Sequence, residues 1–285
     1  MSADVVAVDQ RELAVEGIGG SFFEPAGAPD APLLVWAGSE RFAHDLARRS
    51  GWALAVVDYR FGSGDGPISR ASDDKSAHRP VPVFPAALSD VYRCFAHFAA
   101  AGGRPAVAVG GSGFGGGLAA AAAFLARRYG DPPPAAQILL APLLDARLAS
   151  PSWKRYAYPG ERERLDAAIA DHAPGLERTD PLLSPLCAED FSELPDAVIV
   201  TAGADPRRDD GERYAQLLAE AEVVVWGHRY PGLAHTRACE GGGEAGGAAV
   251  VNGMASALRL VLSKATQKRS RNSSPPADAS RPARA

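Results

Sequence analysis

Residues Arg104-Pro-Ala-Val-Ala-Val-Gly-Gly-Ser-Gly-Phe-Gly-Gly-Gly-Leu-Ala-Ala120 decide the reading of this chain. The small and branched apolar residues from Pro105 to Val109 predict a buried strand of a parallel sheet. A glycine cluster interrupts them, and the alanine-rich run from Leu118 to Arg128 predicts a helix. Strand, sharp glycine turn and helix form the setting of a nucleophile elbow, G-x-S-x-G. In the frame Gly111-Ser-Gly-Phe-Gly115, however, Gly113 stands where the serine belongs. The frame one residue earlier centres Ser112 but ends on Phe114. The turn is kept and its nucleophile is not. A phosphate cradle is the other reading of so many glycines, but no P-loop lysine follows them.

The rest of the chain places this turn in one α/β domain. Its 285 residues suffice for a full core, 46% are hydrophobic and the formal net charge is −4. No basic surplus suggests a nucleic-acid partner. The three cysteines, Cys94, Cys187 and Cys239, show neither metal nor disulfide spacing and read as buried free thiols. No leader pattern opens the sequence, and no apolar run reads as long enough for a bilayer, so no membrane partner and a cytoplasmic location are expected.

Apolar runs at Pro32–Trp36, Trp52–Val57, Ala136–Pro142, Leu194–Thr201 and Val223–Tyr230 read as strands. Helical stretches separate them, at Phe42–Arg49, Phe84–Ala101, Gly211–Ala221 and Ala245–Leu262, with two short strand-like pieces near Leu13–Val15 and Gly20–Phe23. This alternation implies a doubly wound, mostly parallel sheet. Residues 61–83 read as a long loop, 145–190 as an irregular helical region carrying Trp153, Tyr156 and Tyr158, and 231–236 as a loop. Asp209 and Asp210 are expected to face solvent at a helix start. The domain is taken as 1–265, with 266–285 a disordered tail.

Five motifs in order resemble the α/β-hydrolase fold, and within it the bacterial esterases similar to hormone-sensitive lipase. They are Asp58-Tyr-Arg60 with Phe84-Pro-Ala-Ala87, the Val109–Ala120 elbow, Asp180-Pro-Leu-Leu-Ser-Pro-Leu186, Thr201–Asp209 and Tyr230-Pro-Gly-Leu-Ala-His235. The resemblance implies an α/β-hydrolase fold with a reduced cap near 145–190, Asp205 as the triad acid and His235 as the triad histidine. It also exposes departures. Aspartate, serine and alanine of the family's elbow are Ser112, Gly113 and Phe114 here. The H-G-G-G oxyanion loop is replaced by Ala37-Gly-Ser-Glu40.

A degenerate triad rules out the usual serine acyl-enzyme, because without the nucleophile only roughly 10³–10⁴-fold catalysis over water remains. His235 and Asp205 read equally as a working general base or as relics of the triad. A substrate pocket is expected at the C-terminal edge of the sheet, lined by Trp36, Ala37, Gly38, Ser39, Ser112, Gly113, Phe114 and His235. No cofactor and no metal are implied. The leading functional expectation is a non-hydrolytic isomerase, similar to the atypical α/β-hydrolase-fold epimerases of bottromycin biosynthesis. Such an enzyme inverts an aspartate α-carbon in a ribosomally made peptide antibiotic, so the expected partner is a modified peptide or another bulky natural product. Two alternatives stand beside it: a catalytically dead receptor for such a ligand, as the plant gibberellin receptor is, and a residual esterase using Ser112.

Overall fold

The computed structural model describes residues 5–60, 83–240 and 245–273, with the side chains of 245 and 268–273 left aside. The long loop expected at 61–83 thus falls, except for Val83, outside the described residues, as does the tail beyond 273.

The centre of the molecule is the pair of strands β3 (Leu33–Ala37) and β5 (Val107–Ser112), which run parallel with Trp36 opposite Gly110 and Ala37 opposite Gly111. β4 (Ala53–Val57) flanks β3. β6 (Gln137–Leu140), β7 (Ala197–Ala204) and β8 (Val225–Ala234) extend the sheet on the β5 side, all in parallel. Every residue of β3, β4 and β6 is buried, as a parallel strand covered on both faces requires. At the other edge β1 (Val8–Val15) and β2 (Ile18–Pro25) form an antiparallel hairpin, and β2 pairs antiparallel with β4. Its two-residue turn, Glu16-Gly17, takes positive φ at both positions, the conformation that matches strand twist. The sheet therefore has eight strands in the order β1-β2-β4-β3-β5-β6-β7-β8.

Helices cover both faces. One core layer joins the sheet to α2 (Ala86–Ala101), α3 (Phe114–Tyr129) and α6 (Arg208–Glu220); the other joins it to α1 (Glu40–Ser50) and α8 (Ala245–Ser273). The helix α1 starts where Ser39 Oγ accepts a hydrogen bond from Phe42 N at 3.3 Å, and it ends on Gly51 in the left-handed conformation. The Asp58-Tyr-Arg60 motif is a clamp. Arg60 donates to both oxygens of buried Asp90 on α2, with the shortest contact at 2.7 Å, fixing the chain as it leaves β4. The region 145–190 holds α4 (Pro151–Tyr156) and α5 (Glu161–His172) around a small core of Leu143, Leu148, Trp153 and Ile169. Trp153 is thus a core residue, while Tyr158 is exposed.

Several boundaries differ from the sequence reading for physical reasons. Among the described residues α3 begins at Phe114 rather than Leu118, because the close packing of Gly115 on Ala37 and of Gly116 and Gly117 on Pro142 and Leu143 outweighs their poor helix propensity. The strand β8 runs through Pro231 to Ala234, which had read as loop, and proline is tolerated there because β8 lies at the sheet's edge. The last helix continues to Ser273, past the end of its apolar pattern. By length and composition Gly246–Gln267 could cross a bilayer, contrary to the first reading of the sequence. Its Val250, Val251, Met254, Leu258 and Val261 face the core against α1, which accounts for the apolar content.

The expectation for Asp210 is corrected outright, since its side chain is fully buried. Burial raises its pKa to about 7; Ser150 opposes the rise, and the charges of Asp145 and Asp209 add to it. A carboxyl raised in the folded state costs nothing below its unfolded value near 3.8, and the penalty grows until the pH passes about 7. Asp210→Asn is therefore expected to raise the melting temperature by roughly 5 °C at pH 8, with the gain vanishing at pH 4. Thermal unfolding of both forms across that range checks it.

Candidate active site

The turn between β5 and α3 has the backbone of an elbow. Gly113 has φ 55 and ψ −122, a conformation L-residues adopt only under strain. Leu140 O accepts from its N–H at 3.0 Å, and its own carbonyl accepts from Leu143 N at 2.8 Å, so the turn is pinned to β6 and the segment after it. Gly115 must be glycine for another reason. A Cβ there would lie 1.9 Å from Ala37 O, because the first turn of α3 rests directly on the end of β3. The N–H groups of a helix's first turn have no intrahelical acceptor and carry partial positive charge. The elbow thus presents an anion-stabilising end to the C-terminal edge of the sheet.

Two of the expected catalytic residues meet there. Asp205, at the end of β7, is completely buried, and its Oδ2 lies 2.8 Å from His235 Nδ1, beyond the end of β8. Its Oδ1 accepts from Arg207 N at 2.9 Å, and the Arg207 guanidinium stands 3.5 Å away. Desolvation works against the Asp205 charge, yet His235 and Arg207 outweigh it and hold the carboxyl below its usual range. The imidazolium of His235 is likewise opposed by burial. Charge on Cys239 and the hydrogen bond and charge of Asp205 outweigh that and raise the ring to about 10, against the pull of Arg207.

The far edge of the imidazole faces the vacated position. A Cβ built on Gly113 would lie 3.4 Å from both Cε1 and Nε2 of His235, ordinary contact for a side chain directed at the ring. Asp205, His235 and the Gly113 position therefore stand in line, with room at 113 for a side chain that would meet the ring.

The remaining expected residues serve different ends. Ser112 ends β5, and its Oγ lies 2.5 Å from where a Cβ on Gly38 would be; it makes no hydrogen bond to His235 among the described residues. Its hydroxyl is directed at the β3 side of the turn, beside Trp36 Nε1, so His235 does not activate it in this arrangement. Trp36 is fully buried and stacked on Phe42 at 5.5 Å, and Ala37 is the surface on which Gly115 rests. Ser39 caps α1. Phe114 turns toward the cap, its ring edge-on to His172 at 5.2 Å and 6.5 Å from Tyr59. With Phe84, Leu143 and Leu183 it encloses a void of about 10 Å³, at the limit of a single water.

One member of the cluster escaped the sequence reading. Cys239 Sγ lies 3.8 Å from His235 Nε2. The segment His235–Cys239 forms the short helix α7, which brings residues four apart onto one face. The spacing is visible in the sequence, but it carries no signal while His235 is read as a loop residue.

The fold and this site define the chain as a member of the α/β-hydrolase family. The family described as α/β hydrolase fold matches residues 78–238, spanning the elbow, the acid and the histidine. The carboxylic ester hydrolase LipN of Mycobacterium tuberculosis is 35% identical over 293 aligned positions, covering 93% of this chain and 73% of LipN. The carboxylesterase NlhH of the same organism is 36% identical over 205 positions, 65% of this chain and 63% of NlhH. An arylesterase of Saccharolobus solfataricus is 39% identical over 107 positions, 35% of this chain and 34% of that enzyme. In the last two matches the chain thus spans less than two thirds of the relative. Among solved structures, a hyperthermophilic esterase from Pyrobaculum calidifontis superposes with a TM-score of 0.74 at 26% identity, covering 90% of this chain and 86% of that one. A bacterial heroin esterase gives 0.72 at 26% identity, covering 92% and 86%.

These relatives overturn the expectation of a peptide epimerase. Each is named for ester hydrolysis, and none for isomerisation or peptide antibiotic biosynthesis. The error arose from weighing one lost side chain above the rest of the chain.

Proposed function

We propose that the protein hydrolyses carboxylic esters with Asp205 and His235 as its acid–base pair. The observation that carries this reading is the aim of the imidazole: Asp205 holds Nδ1 at 2.8 Å, and the opposite edge meets the Gly113 position at 3.4 Å. A relic under no constraint has no reason to keep a buried carboxylate behind a histidine pointed at an elbow, since an unpaired buried charge is costly. The names of the relatives support the same chemistry.

In this reading the acyl group lies across the elbow, and its developing oxyanion is met by the first N–H groups of α3. His235 takes the proton of the attacking group and gives one to the leaving alkoxide, while Asp205 fixes ring orientation and stabilises the imidazolium. The serine of the relatives is absent, so the attacking group comes from elsewhere, either water in the vacated space or the neighbouring thiol.

Wild-type protein is expected to hydrolyse short p-nitrophenyl esters slowly but above its heat-inactivated control. His235→Ala is expected to lower that rate at least 100-fold, because positioned acid–base groups contribute roughly 10²–10⁴. Release of p-nitrophenolate measures both. No difference between wild type, H235A and the heated control would show that the pair performs no hydrolysis.

A further inference from the structure

The geometry points to Cys239 as the nucleophile that replaces the missing serine, making a thiol triad of Cys239 and His235, one turn apart on α7, and Asp205 after β7. This inference rests on the ester-hydrolase reading and names the attacking group at the same site. Three observations carry it. Cys239 Sγ is 3.8 Å from His235 Nε2, the nitrogen from which a triad serine would be activated. That histidine is backed by Asp205 at 2.8 Å, so nucleophile, base and orienting carboxylate are all present. Cys239 is only half-buried, whereas Cys94 is fully enclosed.

In the proposed reaction the thiol proton passes to His235 Nε2, 3.8 Å away, leaving a thiolate beside an imidazolium. The thiolate attacks the ester carbonyl carbon, forming the S–C bond and a tetrahedral oxyanion. Collapse breaks the C–O bond, and the leaving alkoxide takes the proton of His235 to depart as alcohol. Neutral His235 then removes a proton from water as that water attacks the thioester. The C–S bond breaks, releasing the carboxylic acid and restoring the thiolate and imidazolium. The sum is ester plus water to acid plus alcohol, with no oxidant or reductant.

The remaining cysteines serve as internal controls. Burial pushes the Cys94 thiol up to about 12, and burial with the nearby charge of Asp145 raises Cys187 against the opposing pull of Arg147. Both are held as thiols near neutral pH.

The test has two arms. In the first, protein mixed with p-nitrophenyl acetate is quenched in acid and digested, and the acetyl group is located by mass spectrometry. Acetyl on the peptide containing Cys239, together with an at least 100-fold lower rate in Cys239→Ala, is the expected result. Cys239→Ser, nearly isosteric, shows whether loss of activity follows loss of the thiol or loss of the fold, with thermal melts of both variants alongside. Acetyl on Ser112, or a wild-type rate in Cys239→Ala while H235A stays inactive, overturns the thiol nucleophile and leaves hydrolysis to Ser112 or water. Absence of hydrolysis in the wild type overturns the ester-hydrolase reading and the acyl transfer with it.

The second arm needs no ester. Iodoacetamide at pH 7 is expected to alkylate Cys239 at least 10-fold faster than Cys187 in the folded protein, and His235→Ala is expected to abolish that preference. Equal rates at the two thiols, or a preference that survives in H235A, overturn the thiol–imidazole pair.

Discussion

Gly113→Ser is expected to turn this protein into a serine hydrolase of the ordinary kind, with ester hydrolysis rising by about 10³-fold and stoichiometric labelling by a fluorophosphonate probe at residue 113. The backbone already has the strained elbow dihedrals, so the substitution asks for no rearrangement. The new Cβ meets only the ring of His235, at 3.4 Å, which places the hydroxyl one bond further on within reach of the base. Positive φ at 113 carries a conformational penalty of roughly 1–3 kcal/mol for a non-glycine residue, so the variant should melt lower even as it gains activity. Steady-state kinetics and intact mass after labelling decide the matter. A G113S protein that folds and neither reacts with the probe nor gains activity would show that the dyad is not aimed at this position.

The second large effect concerns Gly115. Gly115→Ala places a methyl group 1.9 Å from a backbone carbonyl at the centre of the sheet, and neither partner is a flexible side-chain end. The helix α3 must lift from β3 or β3 must move, and small-to-large changes of this kind cost about 1–3 kcal/mol or more. A fall in melting temperature of at least 8 °C is expected. Gly227→Ala is the control, since nothing lies within 4 Å of its added Cβ, and a shift below about 2 °C is expected there. Comparable losses in both variants would mean that the tight seat of α3 on β3 does not hold the elbow.

The order of strands and helices was legible because its signals are local. The apolar runs of β3, β4 and β6 are enclosed on both faces, so composition alone marks them. Asp205 and His235 were legible through motifs that keep their order, and the structure brings them together at 2.8 Å. What sequence could not weigh was contact across the chain. The glycines after Ser112 read as a break, yet they form a helical turn in which Ala37 leaves no room for anything larger at 115, and Pro142 and Leu143 crowd 116 and 117. Asp210 follows Asp209 and was read with it, but Asp209 accepts from Ser152 N at 2.8 Å while its neighbour turns into the protein. Cys239 gained its meaning only when helix α7 placed it one turn from the histidine. The epimerase expectation failed differently, by weighing one lost hydroxyl above a chain whose relatives are named for ester hydrolysis.

The ion pairs behind the histidine tie the site to the cap. Arg207 stands 3.5 Å from Asp205 and 3.4 Å from Glu161 at the start of α5, with its guanidinium over the ring of Trp153 in α4. One guanidinium thus joins α4, α5 and the carboxylate paired with His235. By thermodynamic reciprocity, any ligand that shifts α4 or α5 alters the electrostatic support of Asp205, and any change in the charge of His235 alters the docking of the cap. Occupancy above the sheet and proton affinity at its edge become two readings of one equilibrium.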